Sequence, residues 1–216
     1  MQAEQAEFIN LAAHDPQAPL RKLGTFVDRL LARCKDVSEA GQYADRIQVT
    51  LSQMTESITS LSALANVGLP DHSEASLPLI ITELRKDKGL SEEQLTIAPL
   101  PIIKAGKDHL KTVFSNLIDN SLKFRNSGNL SITISSDNDD TNKRLLIYYS
   151  DNGIGITPGS EAIIFKPFTR LNGARFPGPG MGLAICKKIL ELYNGTIYVT
   201  PLAGPGARFT ISIPQP

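Results

Sequence analysis

Hydrophobic positions in the first third of the chain recur at helical intervals. Two stripes advance in alternating steps of three and four residues, which is typical of a helix that packs along another helix. They consist of Leu20, Leu23, Val27, Leu30 and Cys34, and of Ile47, Leu51, Met54, Ile58, Leu61 and Ala65. Residues 35–42 between them include Ser38 and Gly41 and predict a short connection. The pattern therefore predicts an antiparallel helical hairpin.

Two such helices expose more apolar stripe than one hairpin can cover. Dimerisation into a four-helix bundle would cover the remainder. The alternative is an intramolecular bundle of three or four helices, but the neighbouring sequence offers too few further helices to complete it. We therefore expect a homodimer that forms through the hairpin.

The pattern changes after residue 76, where helical and alternating segments are mixed. Helices are predicted at 77–85, 108–124 and 182–193, with Asp108 as the N-cap of the second. Strands are predicted at 94–98, 101–104, 130–135, 145–150, 196–199 and 208–213. The buried face of the second helix is predicted to comprise Leu110, Val113, Phe114, Leu117 and Ile118. This mixture favours an α+β sandwich with a mixed sheet and helices on one face.

A polar stretch at 66–76, with Gly68 and Pro70, separates the two patterns and predicts an interdomain linker. The predicted domains are 1–68, a helical hairpin, and 77–216, an α+β domain, with 69–76 as the linker between them. His72 lies in this stretch and is expected to be solvated and without a role.

Composition narrows the class of protein. The 216 residues include 22 basic and 22 acidic side chains, so the formal net charge of zero gives no electrostatic reason to expect a nucleic-acid or anionic-membrane partner. The only cysteines, Cys34 and Cys186, are far apart and are expected to pack as small apolar residues in a reducing compartment. No apolar run is long enough to span a bilayer, so we expect no membrane segment in this chain and a cytoplasmic module.

One candidate for chemistry lies near the start of the first helical pattern, where His14 is followed by Asp15. A neutral imidazole can attack phosphorus, and an adjacent carboxylate could accept the ring proton or orient the ring. Alone, the pair is more typical of a surface histidine in a helix than of a phosphoacceptor. Pro19 predicts a bend just after His14, and Pro16 either adds a second break or starts a fresh helix capped by Asp15.

A second candidate lies on the predicted helix 108–124. Asn116, Asn120 and Lys123 share one helical face by their spacing. Two amides and an ammonium could hold a magnesium ion and the phosphates that it bridges. The alternative is an exposed polar face.

Two glycine-containing segments extend this candidate site. Asp151 ends a predicted strand, where its carboxylate could accept a hydrogen bond from an exocyclic amine such as that of adenine. Gly153 and Gly155 would let the backbone turn sharply and approach a base closely, although an ordinary turn has the same pattern. Gly178, Gly180 and Gly182 precede a predicted helix, whose free N–H groups and positive dipole end favour phosphate.

The segment between these two glycine-containing stretches begins with Phe165 and Phe168 and carries Arg170 and Arg175. It is predicted to lie over a nucleotide as a lid, from which either arginine could reach a terminal phosphate.

These motifs, in this order, resemble the transmitter module of sensor histidine kinases over essentially the whole chain. His14 lies in a sequence similar to the H-box, residues 116–124 resemble the N-box, 151–156 the G1 box, 165–168 the F-box and 178–183 the G2 box. The stretches HDPQAPLRKL and RFPGPGMGLAICKKI are most similar to the phytochrome-like branch.

The resemblance implies a dimeric phosphoacceptor hairpin followed by an ATP-binding domain of the GHKL (Bergerat) type. It implies that ATP binds with Mg²⁺, that His14 accepts the γ-phosphoryl group with Asp15 as general base or orienter, and that a response regulator receiver domain is the next acceptor. Asn120 would be the Mg²⁺ ligand, and Asp151 would read adenine. The implied nucleotide-binding residues are Asn116, Asn120, Lys123, Phe124, Asp151, Gly153, Gly155, Ile156, Phe168, Arg170, Arg175, Gly178, Gly180, Gly182 and Leu183.

Two departures from the family pattern keep other functions open. Pro16 replaces the usual Leu or Ile, and Pro179 stands where Thr or Ser is common and removes one N–H near the phosphates. A catalytically impaired signalling scaffold that binds ATP is therefore an alternative. Another ATPase with the same nucleotide fold, of the chaperone or mismatch-repair type, is a third hypothesis, but it would lack the H-box hairpin.

Overall fold

The computed structural model describes residues 17–33, 38–171, 176, 178–200, 202 and 204–215. These residues form two compact units. One contains the described residues up to Asn66 together with 178–181, and the other contains the remainder from Val67 onward.

The first unit consists mainly of two helices, α1 (Gln17–Arg33) and α2 (Ser38–Ala65), which pack against each other. Leu20, Val27 and Ala44 are buried between them. Only half of the predicted α1 stripe is covered, because Leu23 and Leu30 remain 50 % and 54 % exposed. The intervening apolar positions therefore form a second face that the hairpin itself does not bury.

One detail of the predicted hairpin is corrected. The connection predicted at 35–42 is too long, because α2 already begins at Ser38 and includes Gly41. A glycine inside a helix costs only about 0.5–1 kcal/mol, which neighbouring turns can offset. Pro19 lies within the described α1. His14, Asp15 and Pro16 lie outside the described residues.

The second unit is an α+β structure, as predicted. In chain order its elements are β1 (Glu74–Ser76), α3 (Leu77–Asp87), β2 (Leu95–Ile97), β3 (Ile102–Lys104), α4 (Lys107–Lys123), β4 (Ile132–Asp139), β5 (Arg144–Asp151), a 3₁₀ turn (Ile163–Phe165), α5 (Gly182–Leu192), β6 (Thr196–Thr200) and β7 (Ala207–Pro214).

The five-stranded sheet has the order β2-β4-β5-β7-β6. It is mixed, because β2 pairs in parallel with β4 whereas the other neighbours are antiparallel. A separate two-stranded sheet pairs β1 with β3. Glu74–Ser76 therefore forms a strand within the stretch predicted as linker. The hairpin β4–β5 extends to the pair Asp139 and Arg144, further than predicted.

The core lies between α4, α5 and one face of the sheet. All five predicted core positions of α4 are buried, which confirms its predicted face. The sheet contributes Ile132, Ile134, Ile147, Tyr149 and Ile211, which are at most 1 % exposed. The N-cap of α4 was predicted wrongly, since Gly106 takes that position and Asp108 lies in the first turn. An acid there still interacts favourably with the helix dipole.

Cys186 packs in this core as predicted. It is a free, buried thiol whose Sγ lies 3.6 Å from the carbonyl oxygen of Val113. Burial raises the pKa of the thiol to about 12, so it remains protonated and unreactive near neutral pH. Cys34 lies outside the described residues.

Tyr193, at the end of α5, ties the segment after Asn66 to this core. Its Oη accepts hydrogen bonds from the backbone N–H of Gly106, at 3.0 Å, and of Asp71, at 3.2 Å. The same hydroxyl donates its proton to Nδ1 of His109, 2.6 Å away. Nε2 of that ring then carries the imidazole proton and donates it to the Val67 carbonyl. One hydroxyl therefore satisfies three groups.

Replacing Tyr193 with phenylalanine is expected to lower the free energy of unfolding by about 1–3 kcal/mol, because the buried Gly106 N–H loses its acceptor. Urea unfolding of the full chain would measure the change. Tyr198→Phe is the matched control, since that tyrosine is 46 % exposed on β6. Equal midpoints for the two variants would contradict this role of the hydroxyl.

Candidate functional site

The α4 side of the predicted site presents two amides one helical turn apart. Asn116 Nδ2 donates to the Thr112 carbonyl at 3.0 Å, which leaves its Oδ1 free to accept. Among the described residues, the Asn120 side-chain amide has no hydrogen-bond partner, and it is partly exposed. This face of α4 therefore offers amide oxygens, which are suitable hard ligands for a divalent cation.

The first residue of α5 lies against the same amides. A Cβ placed on Gly182 would lie 2.8 Å from Asn116 Oδ1, so a larger residue there would push the Asn116 side chain aside. The free N–H groups at the start of α5 are thereby brought next to Asn116. A helix N-terminus beside amide side chains is a favourable environment for phosphate.

Lys123 and Phe124 continue the site at the end of α4. Lys123 Nζ lies 5.0 Å from the centroid of the Phe124 ring. That ring in turn packs edge-on against Phe176, with centroids 4.8 Å apart. The ammonium is therefore held against the Phe124 ring at the end of the helix.

Asp151 lies at the end of β5, and both of its carboxylate oxygens are engaged. Oδ1 accepts the backbone N–H of Gly153 at 2.9 Å, and Oδ2 accepts the hydroxyl of Ser121 at 2.8 Å. Each oxygen keeps a further lone pair. The carboxylate is thus oriented by the protein and can still accept a hydrogen bond from a ligand.

The backbone around Asp151 is packed too closely for side chains. A Cβ on Gly153 would lie 2.7 Å from the Phe124 carbonyl oxygen, and one on Gly155 would lie 3.0 Å from that of Gly206. The Ile154 N–H also donates to the Phe124 carbonyl at 3.0 Å. The structure therefore brings together the end of α4 and the segment after β5, as predicted for one site.

Gly206 is a residue of this site that the sequence reasoning missed. Its φ is +108°, and a Cβ there would lie 2.0 Å from the Asp151 carbonyl oxygen. The signal was present in the sequence, because Gly204 and Gly206 immediately precede the last strand.

We expect Gly206→Ala to destabilise the chain by about 2–4 kcal/mol, because alanine resists this φ and displaces the Asp151 backbone. Thermal unfolding of the full chain would measure the loss. Gly204→Ala is the control, since a Cβ there meets nothing within 4 Å. If both variants melt alike, the close approach at Gly206 is not a constraint.

Two asparagines were also missed. Asn126 Nδ2 donates to the carbonyls of Asn152 and Gly153, at 3.0 and 2.8 Å. The Asn152 side chain accepts the Ser131 N–H and donates to the Asn129 carbonyl. The side chains of Asn126 and Asn152 therefore stabilise the turn after Asp151 by hydrogen bonds to the backbone. An isolated asparagine in a loop has no periodicity, so only the fold reveals this arrangement.

The remaining predicted residues that the structure describes differ in exposure and backbone conformation. Ile156 and Leu183 are partly buried, whereas Phe168 is 51 % exposed and has a positive φ of 61°. The guanidinium of Arg170 donates to the Phe176 carbonyl at 2.7 Å. Gly178 and Gly180 have positive φ values and belong to the segment grouped with the first unit. Arg175 lies outside the described residues.

The described residues contain neither a carboxylate, thiol or imidazole cluster suited to a metal nor a membrane-spanning helix. No group of three or more His, Cys, Asp or Glu side chains in them is arranged to bind a metal ion. None of their helices combines the length and hydropathy needed to cross a membrane.

The fold and this arrangement define a nucleotide-binding α+β ATPase domain. Residues 105–216 match the family model described as histidine kinase-, DNA gyrase B- and HSP90-like ATPase, and the chain belongs to this family.

The relatives extend beyond that domain. The chain is 34 % identical over 224 residues to Cyanobacterial phytochrome A of Nostoc sp., an alignment that covers 98 % of this chain and 29 % of that protein. It is 27 % identical over 227 residues to Sensor histidine kinase AtsR of Burkholderia thailandensis, covering 99 % of this chain and 38 % of that protein. The chain thus spans well under half the length of these relatives.

A solved structure shares the fold. Full-length ShkA, crystallised in complex with AMPPNP, superimposes with a TM-score of 0.67 at 22 % identity, over 96 % of this chain and 45 % of that one.

Proposed function

We propose that this chain is the kinase module of a two-component sensor histidine kinase. In this proposal, ATP phosphorylates His14, and the phosphoryl group then passes to an aspartate on a response regulator receiver domain. One observation carries the proposal: the match to a named sensor histidine kinase covers 99 % of the chain, including the helical region outside the ATPase family match. A chaperone-type or mismatch-repair-type ATPase would not be expected to share the helical region that precedes the ATPase domain.

The proposed domains are a phosphoacceptor hairpin at 1–68, a linker at 69–76 and a catalytic domain at 77–216. The described residues divide into two compact units between Asn66 and Val67, which supports a hairpin domain followed by a separate catalytic domain. Asp71 and Val67 are hydrogen-bonded to Tyr193 and His109, respectively, which favours a start of the catalytic domain before residue 77. We expect the module to act in the cytoplasm, where ATP and receiver domains are available.

The proposed dimer is supported by the uncovered half of the hairpin. Leu23, Phe26 and Leu30 of α1 and Ile47 and Met54 of α2 are all between 46 % and 60 % exposed. Exposed apolar residues at helical intervals are typical of an interface between helices. A second copy of the hairpin would bury them and complete a four-helix bundle.

The proposed nucleotide contacts follow the geometry of the second unit. Asp151 would accept the exocyclic amine of adenine, because its orientation is fixed while lone pairs remain on both oxygens. Asn116, Lys123, and the N–H groups of Gly182 and Leu183 would contact phosphate, with Arg170 reaching the terminal one. From the sequence motif alone, Gly178, Gly180 and Arg175 are proposed to contact phosphate as well.

A magnesium ion fits the donors on α4. The unpartnered Asn120 amide is the proposed ligand, with Asn116 next to it, and amide oxygen suits this hard cation. When bound, such an ion neutralises phosphate charge during transfer.

The proposed transfer depends on positioning more than on covalent chemistry. The neutral His14 imidazole would attack the γ-phosphorus and form an N–P bond as the bond to the ADP leaving group breaks. Asp15 would accept or orient the ring proton.

Incubation of the full chain with γ-labelled ATP and Mg²⁺ tests this proposal. The expected product carries a label that is labile in acid and stable in base, and that a receiver domain with an intact acceptor aspartate removes. A chain that binds ATP in titration but takes up no label would instead favour the impaired scaffold, with Pro16 and Pro179 as the residues to replace.

A further inference from the structure

Two buried hydroxyl groups lie behind Asp151, on the side away from solvent. Ser121 of α4 is 1 % exposed, and Tyr149 of β5 is fully buried. Ser121 Oγ lies 2.8 Å from Tyr149 Oη and 2.8 Å from Asp151 Oδ2. The three side chains therefore form a continuous hydrogen-bonded chain from the core to the carboxylate, and we call it the Tyr149–Ser121–Asp151 chain.

The direction of these hydrogen bonds follows from the proton inventory. Burial strongly raises the pKa of the Tyr149 phenol, so it keeps its proton and donates to Ser121 Oγ. Ser121 also has one proton. Ser121 Oγ lies 2.8 Å from the Asp151 carboxylate oxygen and 3.2 Å from the alternative acceptor, the Leu117 carbonyl oxygen. The carboxylate is therefore the closer and stronger acceptor. Both hydroxyl protons are therefore directed toward the carboxylate.

The consequence is a carboxylate fixed from two sides. Ser121 engages Oδ2, and the Gly153 N–H engages Oδ1 at 2.9 Å. Two hydrogen bonds to different oxygens restrict rotation of the carboxylate. Asp151 can then act only as a hydrogen-bond acceptor, in one orientation.

We propose that Ser121 and Tyr149 are positioning residues of the nucleotide site that make it select adenine over guanine nucleotides. This inference rests on the proposed role of Asp151 in reading the base. Adenine presents an amine to such an acceptor, whereas guanine presents a carbonyl oxygen at the corresponding position. Two acceptors facing each other repel, so an Asp151 that cannot rotate rejects guanine more strongly.

Calorimetric titration of the full chain with ATP and with GTP, in the presence of Mg²⁺, tests the inference. Ser121→Ala is expected to raise the Kd for ATP about tenfold and to lower the ATP-to-GTP selectivity by a similar factor. Tyr149→Phe keeps the Ser121 hydroxyl, so we expect a smaller rise of about threefold. Ser115→Ala is the matched control, because its hydroxyl lies on the same helix and contacts only Asp119 among the described residues.

The double variant Ser121→Ala/Tyr149→Phe separates positioning from structural support. If Tyr149 acts on the carboxylate through Ser121, the double variant binds ATP no more weakly than Ser121→Ala alone. Its melting temperature is nevertheless expected to exceed that of Ser121→Ala, because the tyrosine hydroxyl orphaned in the single variant is gone.

Four outcomes distinguish the inference from the proposed function. Wild-type selectivity in Ser121→Ala, or losses of affinity that simply add and follow the loss of stability, would overturn the inference. A wild-type chain that binds neither nucleotide would overturn it together with the proposed function. A wild-type chain that binds ATP selectively but is not labelled would overturn only the kinase proposal.

Discussion

Replacing His14 with alanine is expected to abolish incorporation of phosphate from γ-labelled ATP. If His14 is the phosphoacceptor, the variant has no nucleophile at the position that resembles the H-box, and no neighbouring side chain forms an equally acid-labile product. The measurement is the label retained on the full chain after base treatment, compared with wild type. ATP affinity should be unchanged, because the family-matched domain at 105–216 does not include this residue.

His72→Ala is the matched control for this prediction. That histidine is exposed, makes no hydrogen bond with the described residues, and contacts the Tyr193 ring edge-on with centroids 5.8 Å apart. It should be labelled as efficiently as wild type. Label that persists in His14→Ala but disappears in His72→Ala would place the acceptor elsewhere and refute the proposed assignment.

Replacing Asp151 with asparagine is expected to weaken ATP binding about 10- to 100-fold, since a charge-assisted hydrogen bond contributes about 1.5–3 kcal/mol. Asparagine keeps the volume, but its NH₂ group cannot accept. One of three donors, the Ser121 hydroxyl, the Gly153 N–H or the ligand amine, would then face another donor. Calorimetric titration with ATP measures the loss.

Asp137→Asn is the control for the Asp151 substitution. Its carboxylate is exposed on β4 and accepts only the N–H of its neighbour Asn138 among the described residues. The same change of charge there should leave the Kd for ATP unchanged. A loss of less than threefold in Asp151→Asn would show that this carboxylate does not contact the base.

Much of the second unit could be predicted from local patterns. The buried face of α4 followed from the spacing of Val113, Phe114 and Leu117, because a helix repeats every 3.6 residues and one side must face the core. The strands followed from alternation and turn residues. The pairing of the strands could not be predicted in this way. For example, β2 pairs in parallel with β4, and nothing in the local sequence of either strand indicates its partner.

The site divides in the same way. Asn116, Asn120, Asp151 and Gly153 could be proposed because they occur in short motifs whose residue types suit phosphate, metal and amine. Asn126, Ser121 and Tyr149 could not, because each acts through a partner 26 to 30 residues away in sequence. A buried serine in a helix resembles any other serine until its neighbours are known.

By itself, the sequence determined the order of helices and strands from Leu77 onward, the family of the ATPase domain and the residue types offered to a nucleotide. Periodicity and short motifs encode these features locally. Only the tertiary structure decided which groups orient Asp151, which glycines admit the neighbouring backbone, and how one Tyr193 hydroxyl satisfies three partners. Those features arise from contacts between distant segments, where distances of a few tenths of an ångström decide whether a hydrogen bond forms or a side chain fits.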